Sequence, residues 1–314
     1  FFAHVGQMQS YNLGLLREII KRKITLIDYE YLTDKNGRRL AAFGNWAGIV
    51  GAYNGLIAYG KRNGLFDLKP ANQCFDIEEM FSELRKVKLP VIKILITGGG
   101  RVAKGALSLL KPLKIKKVEP DEFVSKTFNE PVLCQVDADH YTKRKDGKEF
   151  TFEHFFSHPA DYESTFLPYT KVTDLYMACH FWHPKSPVFM TKQDMKAADF
   201  KISVIADISC DLNGPVPSTV RSSTIAEPFY GYNPQLEIEG SPFGMDNITV
   251  MAVDNLPGEL PRDASRDFGK DLQNNIFPAL LGDDPDKIIE RGTITKDGKL
   301  TPRFAYLQDW VDGK

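Results

Sequence analysis

The run Val91–Leu113, VIKILITGGGRVAKGALSLLKPL, decides how the rest of the chain is read. Its first seven residues are almost continuously apolar and β-branched, the pattern of a strand buried on both faces of a parallel sheet. Its last eight, ALSLLKPL, can begin a helix. Between them Gly98, Gly100 and Ala103 form a G-x-G-x-x-A turn. Strand, glycine turn and helix in immediate succession are the context that separates a dinucleotide-binding loop from an ordinary turn. Without Cβ atoms, the backbone of Gly98, Gly99 and Gly100 can come close to a pyrophosphate. The helix start at Arg101 and Val102 adds N–H groups and a favourable dipole.

About 20 residues beyond such a loop an acid is expected on the ribose hydroxyls. VEPDEF (118–123) offers Glu119 there, which points to NAD. Lys116 and Lys117 beside it could accept a 2′-phosphate, which points to NADP, so both cofactors stay open.

Downstream, PVLCQV (131–136), DLYMACHF (174–181) and ISVIADIS (202–209) read as further buried strands. TKQDMKAA between the last two reads as a crossover helix, and the order is that of a doubly wound α/β sheet. Residues 140–172 are a polar, aromatic-containing insertion too long for a plain loop. Residues 211–247 are Pro/Gly-rich and read as irregular. ITVMAVDNLP then returns to a strand pattern, and RDASRDFGKDLQNNIFPALLG reads as a helix stopped by Gly282.

Upstream, Leu15, Leu16, Ile19 and Ile20 lie at helical spacing, and ITLIDYEYL (24–32) reads as a strand. WAGIVGAYNGLIAYGKRN reads as a small-residue helix whose Gly48, Gly51 and Gly55 would admit another backbone. Asp76 is placed to cap a helix through EEMFSELRK. Boundaries are expected near residues 75 and 250: a substrate lobe over 1–75, a dinucleotide domain over 76–250, and a segment 251–314 returning to the first lobe.

A length of 314 residues favours two lobes with separate cores. The 40 basic against 41 acidic residues leave a net charge of -1, so no global field attracts nucleic acid or an anionic membrane. Small-molecule partners are expected, and the sequence leaves a homo-oligomer open without deciding it. Cys74, Cys134, Cys179 and Cys210 are far apart and form no zinc knuckle or disulfide framework, which suits a reducing, cytoplasmic setting. No apolar run reaches the roughly 18 residues that span a bilayer. The sequence opens on Phe1 rather than Met, so a preceding segment with any targeting signal is expected to be missing.

Several side chains could carry chemistry. His4, between an apolar and a polar segment, could titrate near neutrality. Arg39 could grip a carboxylate with two prongs and Glu30 could meet an ammonium, although a surface ion pair reads equally well. Asp207 and Asp211 end an apolar strand, where α/β sheets bind ligands, and also suit turn capping. His180 and His183 have H-x-x-H spacing, but no third ligand accompanies them and Pro184 breaks the helical face, so no metal site is expected. No G-x-S-x-G elbow of a serine hydrolase occurs.

Taken together, FFAHVGQMQSYNLGLL (1–16), LIDYEYL (26–32), GRRLAAFGNWAG (37–48), ITGGGRVAKGA (96–106) followed by VEP, ADISCD (206–211) and VDNLPGELPRDAS (253–265) resemble the lysine-forming saccharopine dehydrogenases. They are especially similar to the lysine–2-oxoglutarate reductase part of the bifunctional aminoadipic semialdehyde synthases, within the wider alanine dehydrogenase-like group. The resemblance implies two Rossmann-like lobes with an active-site cleft between them, the first lobe completed from the C-terminus. It implies that His4 is a general acid/base and that Glu30 and Arg39 sit in the substrate site. It further implies that Asp254, Asn255 and Leu256 of VDNLP pack beside the nicotinamide. The reaction implied joins lysine to 2-oxoglutarate as an imine, which is reduced to saccharopine by NADH or NADPH. The family's catalytic lysine precedes the position that His4 matches and has no counterpart here, so the first lobe is expected to be N-terminally incomplete. The alternatives are an alanine dehydrogenase or another opine-forming enzyme on the same scaffold, and a non-catalytic dinucleotide sensor.

Overall fold

The computed structural model describes residues 3–314; Phe1 and Phe2, which open the first quoted segment, lie outside the described residues. Two compact units emerge, Gly44–Ala264 and Phe1–Phe43 with Ser265–Lys314. The helix Gly44–Asn63 falls in the larger of them. The lobe division with boundaries near 75 and 250 stands beside this partition as a proposal.

The larger unit is built on an eight-stranded sheet. From one edge to the other the strands are Ile238–Gly240, Phe229–Asn233, Ile248–Met251, Val204–Asp207, Leu175–Ala178, Lys93–Thr97, Val132–Val136 and Lys116–Lys117. The last six run parallel, with Lys93–Thr97 flanked by Val132–Val136 and Leu175–Ala178. The four apolar runs read as strands are therefore the sheet's centre. Their side chains are enclosed on both faces, as continuous apolar runs require.

Three segments differ from their sequence reading. TKQDMKAA yields a single helical turn, Lys192–Met195, held by reciprocal capping between Thr191 and Asp194. Within 211–247, read as irregular, Phe229–Asn233 and Ile238–Gly240 form an antiparallel hairpin on the edge of the sheet. The insertion at 140–172 folds on itself: Thr142–Arg144 pairs with Tyr162–Ser164, and the helix Phe152–Ser157 lies between them in sequence.

The helix Gly44–Asn63 is buried along most of its length. A Cβ on Gly48 would lie 1.9 Å from the Val102 carbonyl oxygen, and one on Gly105 would lie 2.1 Å from that of Asn45. These two glycines let the helices Gly44–Asn63 and Arg101–Leu110 touch backbone to backbone. Gly51 faces Ile208 and Gly55 faces Ala206. Inside this layer Asn54 donates from Nδ2 to Oε1 of Glu259 at 2.8 Å, while burial pushes the Glu259 carboxyl up to about 7.

In the smaller unit the helix Leu13–Lys21 sets Leu16 and Ile19 against Val5, Leu26, Ile294, Phe304 and Leu307. The strand read over 24–32 is only Leu26–Ile27. Asp28 ends it by accepting from the Glu30 N–H, which caps a turn at Tyr29–Tyr31. Its antiparallel partner is Thr293–Lys296, which continues as a hairpin to Lys299–Leu300. The long C-terminal helix appears as Pro261–Asp271 and Phe277–Leu281 with a π-helical stretch, Leu272–Ile276, between them. It stops at Gly282, as its sequence suggests. Pro278 has no N–H for an α-helical bond, which accounts for the wider turn before it. Among the described residues no helix is long and apolar enough to cross a membrane.

Candidate functional site

Parallel strands deliver their carboxyl ends to one edge of the sheet, so the residues after Thr97, Val136, Ala178 and Asp207 are gathered there. The chain turns one way from Lys93–Thr97 to Val132–Val136 and the other way to Leu175–Ala178, which makes this edge a topological switch point. A pocket of about 470 Å³ opens at it, lined by Gly98–Val102, Asp137, His180 and Asp211 among others.

The glycine loop is shaped by its neighbours. Gly98 adopts φ +97, and a Cβ there would lie 2.7 Å from the Cys179 carbonyl oxygen. Its N–H donates to the Val136 carbonyl at 2.7 Å, and its own carbonyl accepts from Nε2 of Gln135 at 3.0 Å. Gly100 is the extended residue before the helix Arg101–Leu110, and nothing lies within 4 Å of where its Cβ would be. Open space thus faces the N-terminus of a ten-residue helix.

Asp137, which the sequence reading did not single out, lines this pocket. It directly follows Val132–Val136, the strand beside the glycine-loop strand. One carboxylate oxygen accepts from the Ala138 N–H at 2.9 Å, and the other would meet a Cβ on Gly99 at 2.2 Å. Burial raises its pKa, and the Asp139 charge adds to this against the Ala138 hydrogen bond. Glu119 is exposed and follows Lys116–Lys117 at the far edge of the sheet, outside the pocket lining. That strand pairs with Val132 and Leu133, so Glu119 does not reach the carboxyl end. Lys116 pairs with Glu130, and Lys117 donates to Gln135 at 3.1 Å. The available signal was the Asp that ends the next full apolar strand; residue spacing counted from the loop passed over it.

Asp207 is wholly enclosed and does not line the pocket. Its oxygens accept from Ser209 Oγ at 2.6 Å, Thr219 Oγ1 at 2.5 Å and the Cys210 N–H at 3.1 Å, so it organises the turn after its strand. Asp211 does line the pocket, and its carboxyl is pushed up to about 6 by burial and by the Asp207 charge. Beyond Ile248–Met251, Asp254 and Asn255 are exposed and Leu256 is buried, none of them in the pocket lining. His183 is exposed and accepts from the Lys185 N–H. His180 is only 6% exposed, with Nδ1 2.9 Å from Thr97 Oγ1 and no hydrogen-bond partner at Nε2. Burial drives it down to about 3, so the ring is neutral.

The other candidates lie in the smaller unit. His4 has φ +53, a left-handed backbone uncommon for a non-glycine residue. Its Nδ1 meets the Tyr11 hydroxyl at 3.3 Å and its carbonyl accepts from Asn12. Arg39 Nη2 lies 2.8 Å from Oε1 of the largely buried Glu30. Asp28, which no motif marked, joins these places: its buried carboxylate accepts from the Ala3 N–H at 3.0 Å and from the Glu30 N–H at 2.9 Å.

A glycine loop, a helix N-terminus and an acid on the adjoining strand, at the switch point of a doubly wound sheet, define a dinucleotide-type α/β site. No family model matches the chain. The chain is homologous to alpha-aminoadipic semialdehyde synthases and saccharopine dehydrogenases. It is 27% identical over 352 residues to the alpha-aminoadipic semialdehyde synthase of Arabidopsis thaliana, covering 98% of this chain and 33% of that protein. It is 27% identical over 361 residues to the mitochondrial alpha-aminoadipic semialdehyde synthase of Mus musculus, covering 98% and 38%. It is 27% identical over 292 residues to the saccharopine dehydrogenase [NAD(+), L-lysine-forming] of Neurospora crassa, covering 89% and 67%. The chain therefore spans about a third of the length of the semialdehyde synthases it matches. Among solved structures, an L-alanine dehydrogenase has a TM-score of 0.57 at 16% identity, covering 99% of this chain and 74% of that one. A transhydrogenase from Sinorhizobium meliloti has a TM-score of 0.52 at 12% identity, covering 94% and 72%. The fold is similar to that of these two structures, a mixed α/β architecture with a largely parallel sheet.

Proposed function

We propose that this chain is a nicotinamide-dinucleotide oxidoreductase of lysine metabolism that interconverts saccharopine with lysine and 2-oxoglutarate. The observation that carries the reading is the convergence of Gly98–Gly100, the start of the helix Arg101–Leu110 and Asp137 on one pocket. The names of its relatives supply the substrate class. The residues fit the cofactor: the loop has no Cβ to hinder a pyrophosphate, and Gly100 faces open space. When bound, a nicotinamide dinucleotide supplies or accepts the hydride.

The chain's own part is binding, orientation and proton movement. Backbone N–H groups of the loop and of Arg101 and Val102 hold the phosphates. Asp137, in the role that spacing assigned to Glu119, accepts the ribose hydroxyls. Its charge also opposes a 2′-phosphate: two unit charges 4 Å apart repel by about 4 kcal/mol at the effective dielectric near a protein surface. Screening leaves roughly a ten- to hundredfold preference, so NAD(H) is favoured over NADP(H). His4 moves the proton that must leave or join the substrate amine and keto oxygen as the imine forms and is resolved. Arg39, already oriented by Glu30, takes a substrate carboxylate, and Glu30 takes an ammonium. Asp254, Asn255 and Leu256 are assigned to the nicotinamide end. The four thiols are free, in keeping with a reducing compartment such as the cytoplasm, while the mouse relative is named mitochondrial.

The test is NADH and NADPH oxidation by the full chain with 2-oxoglutarate, offering lysine, ornithine, alanine or ammonia as the amine, for the wild type, His4→Ala and Asp137→Ser. Lysine-dependent oxidation of NADH, abolished in His4→Ala and shifted toward NADPH in Asp137→Ser, supports the reading. Turnover with another amine moves it to an alanine or opine dehydrogenase. Dinucleotide binding without turnover on any amine replaces it with a sensor.

A further inference from the structure

Part of the same pocket is lined by rings that the phosphate loop and Asp137 do not use. Phe152 and Phe156 come from the helix Phe152–Ser157, and Phe181 follows the strand Leu175–Ala178. Phe156 is 63% exposed and Phe181 76% exposed. On the helix, residues four apart share a face, and the Phe152 and Phe156 rings lie 6.1 Å apart with 30° between their planes. Phe155 of the same helix also borders the pocket but is buried behind these two. It packs edge-on against Tyr162 at 5.0 Å and against Phe150 at 5.6 Å. The insertion at 140–172 therefore anchors a short helix through its buried aromatic residues and leaves the rings of Phe152 and Phe156 exposed in the pocket. Large apolar side chains left open in a pocket mark a surface that a ligand covers.

Resting on the dinucleotide reading above, the geometry points to this aromatic wall as the purine-stacking subsite, with the adenine ring held by Phe152 and Phe156 of the insertion and by Phe181. The chemistry follows from connectivity. In a doubly wound sheet the acid on the strand beside the glycine loop takes the ribose of the adenosine half. The base on that ribose lies next to whatever the chain builds immediately after the acid. Here the chain leaves Asp137 directly into the insertion that presents Phe152 and Phe156. Phe181 reaches the same pocket from the strand on the other side of Lys93–Thr97, so rings come to the pocket from both flanks of the loop. An aromatic face recognises a flat purine without reading its edge, and removing one such face typically weakens binding by roughly five- to a hundredfold.

The experiment is calorimetric titration of the full chain with AMP, ADP-ribose, NADH and nicotinamide mononucleotide, for the wild type, Phe181→Ala, Phe156→Ala with Phe181→Ala, and Phe156→Trp. The double variant should weaken AMP, ADP-ribose and NADH at least tenfold and leave the mononucleotide unchanged, while Phe156→Trp should bind AMP within about twofold of wild type. Both side chains are largely exposed, so the fold should survive, and Phe181→Ala alone gives the same direction with less change. If the wild type binds ADP-ribose and the variants bind AMP and ADP-ribose equally well, the stacking subsite is wrong and the dinucleotide reading stands. If the wild type binds neither ADP-ribose nor NADH, both fall.

Discussion

Acidifying the protein should unfold it partly through one imidazole. His180 sits beside the glycine loop with one ring nitrogen against Thr97 Oγ1, which also meets the Tyr176 hydroxyl at 3.1 Å. The other nitrogen is sealed from water with no partner. A protonated imidazole needs two acceptors, and this site supplies at most one. Burial accordingly holds the folded-state pKa down to about 3, whereas an unfolded histidine titrates near 6.5. The unfolded chain therefore takes up a proton that the native chain refuses. The stability this contributes is complete above about pH 6.5 and drains away as the pH falls toward 3. By pH 4.5 two units have been crossed, and at about 1.36 kcal/mol each the loss is about 2.7 kcal/mol. Other groups titrate over the same range, so the quantity to measure is a difference: urea-unfolding free energies from pH 7.5 to 4.5 for the wild type and His180→Asn. Asparagine keeps a hydrogen-bonding group toward Thr97 but cannot titrate. The variant will cost stability at pH 7.5 and lose less on acidification, so the two curves converge by about 2.7 kcal/mol. Parallel curves would refute the argument, because they would mean that His180 takes its proton in the native state.

Three further outcomes follow from the same geometry. Gly48→Ala sets a methyl against the Val102 carbonyl, which cannot swing aside, and should cost about 3 kcal/mol in thermal or urea denaturation; Gly14→Ala, with nothing within 4 Å, should be neutral or slightly stabilising. Gly99→Ala forces the Asp137 carboxylate away and should weaken NADH binding about tenfold or more, seen by fluorescence titration, with the melting temperature nearly unchanged. Asp28→Ala strands the Ala3 and Glu30 N–H groups; it should cost about 2–4 kcal/mol and lower kcat while leaving the Kd for NADH as it was, which steady-state kinetics and titration separate.

The centre of the sheet was legible because strands enclosed on both faces are written as unbroken apolar runs, and the glycine loop because it falls between such a run and a helix. The glycines of Gly44–Asn63 were legible for a similar reason: small residues at helical spacing have little use except close approach. Asp137 was not, because the motif counts residues along the chain whereas the ligand sees strands across the sheet. An added edge strand, Lys116–Lys117, and the helix Pro120–Ser125 separate the two counts. The hairpin in the insertion escaped detection because its strands are only three residues each and carry one buried aromatic side chain, Tyr162, between them. Asp28 reads like any acid in a strand; only folding shows that it bridges residues 3 and 30.

The pairing of Leu26–Ile27 with Thr293–Lys296 also sets a timetable for biosynthesis. The strand Leu26–Ile27 leaves the ribosome long before its partner does. Leu26 bonds to Thr295 across a separation of 269 residues, which at 5–20 residues per second is an interval of roughly 15–50 s. The larger unit can close within that time, since both ends of its sheet lie before residue 264. The smaller unit cannot. The helix Leu13–Lys21 carries an apolar face whose core is incomplete until Ile294, Phe304 and Leu307 have been made, so chaperones that shield nascent chains would act on the segment around this helix.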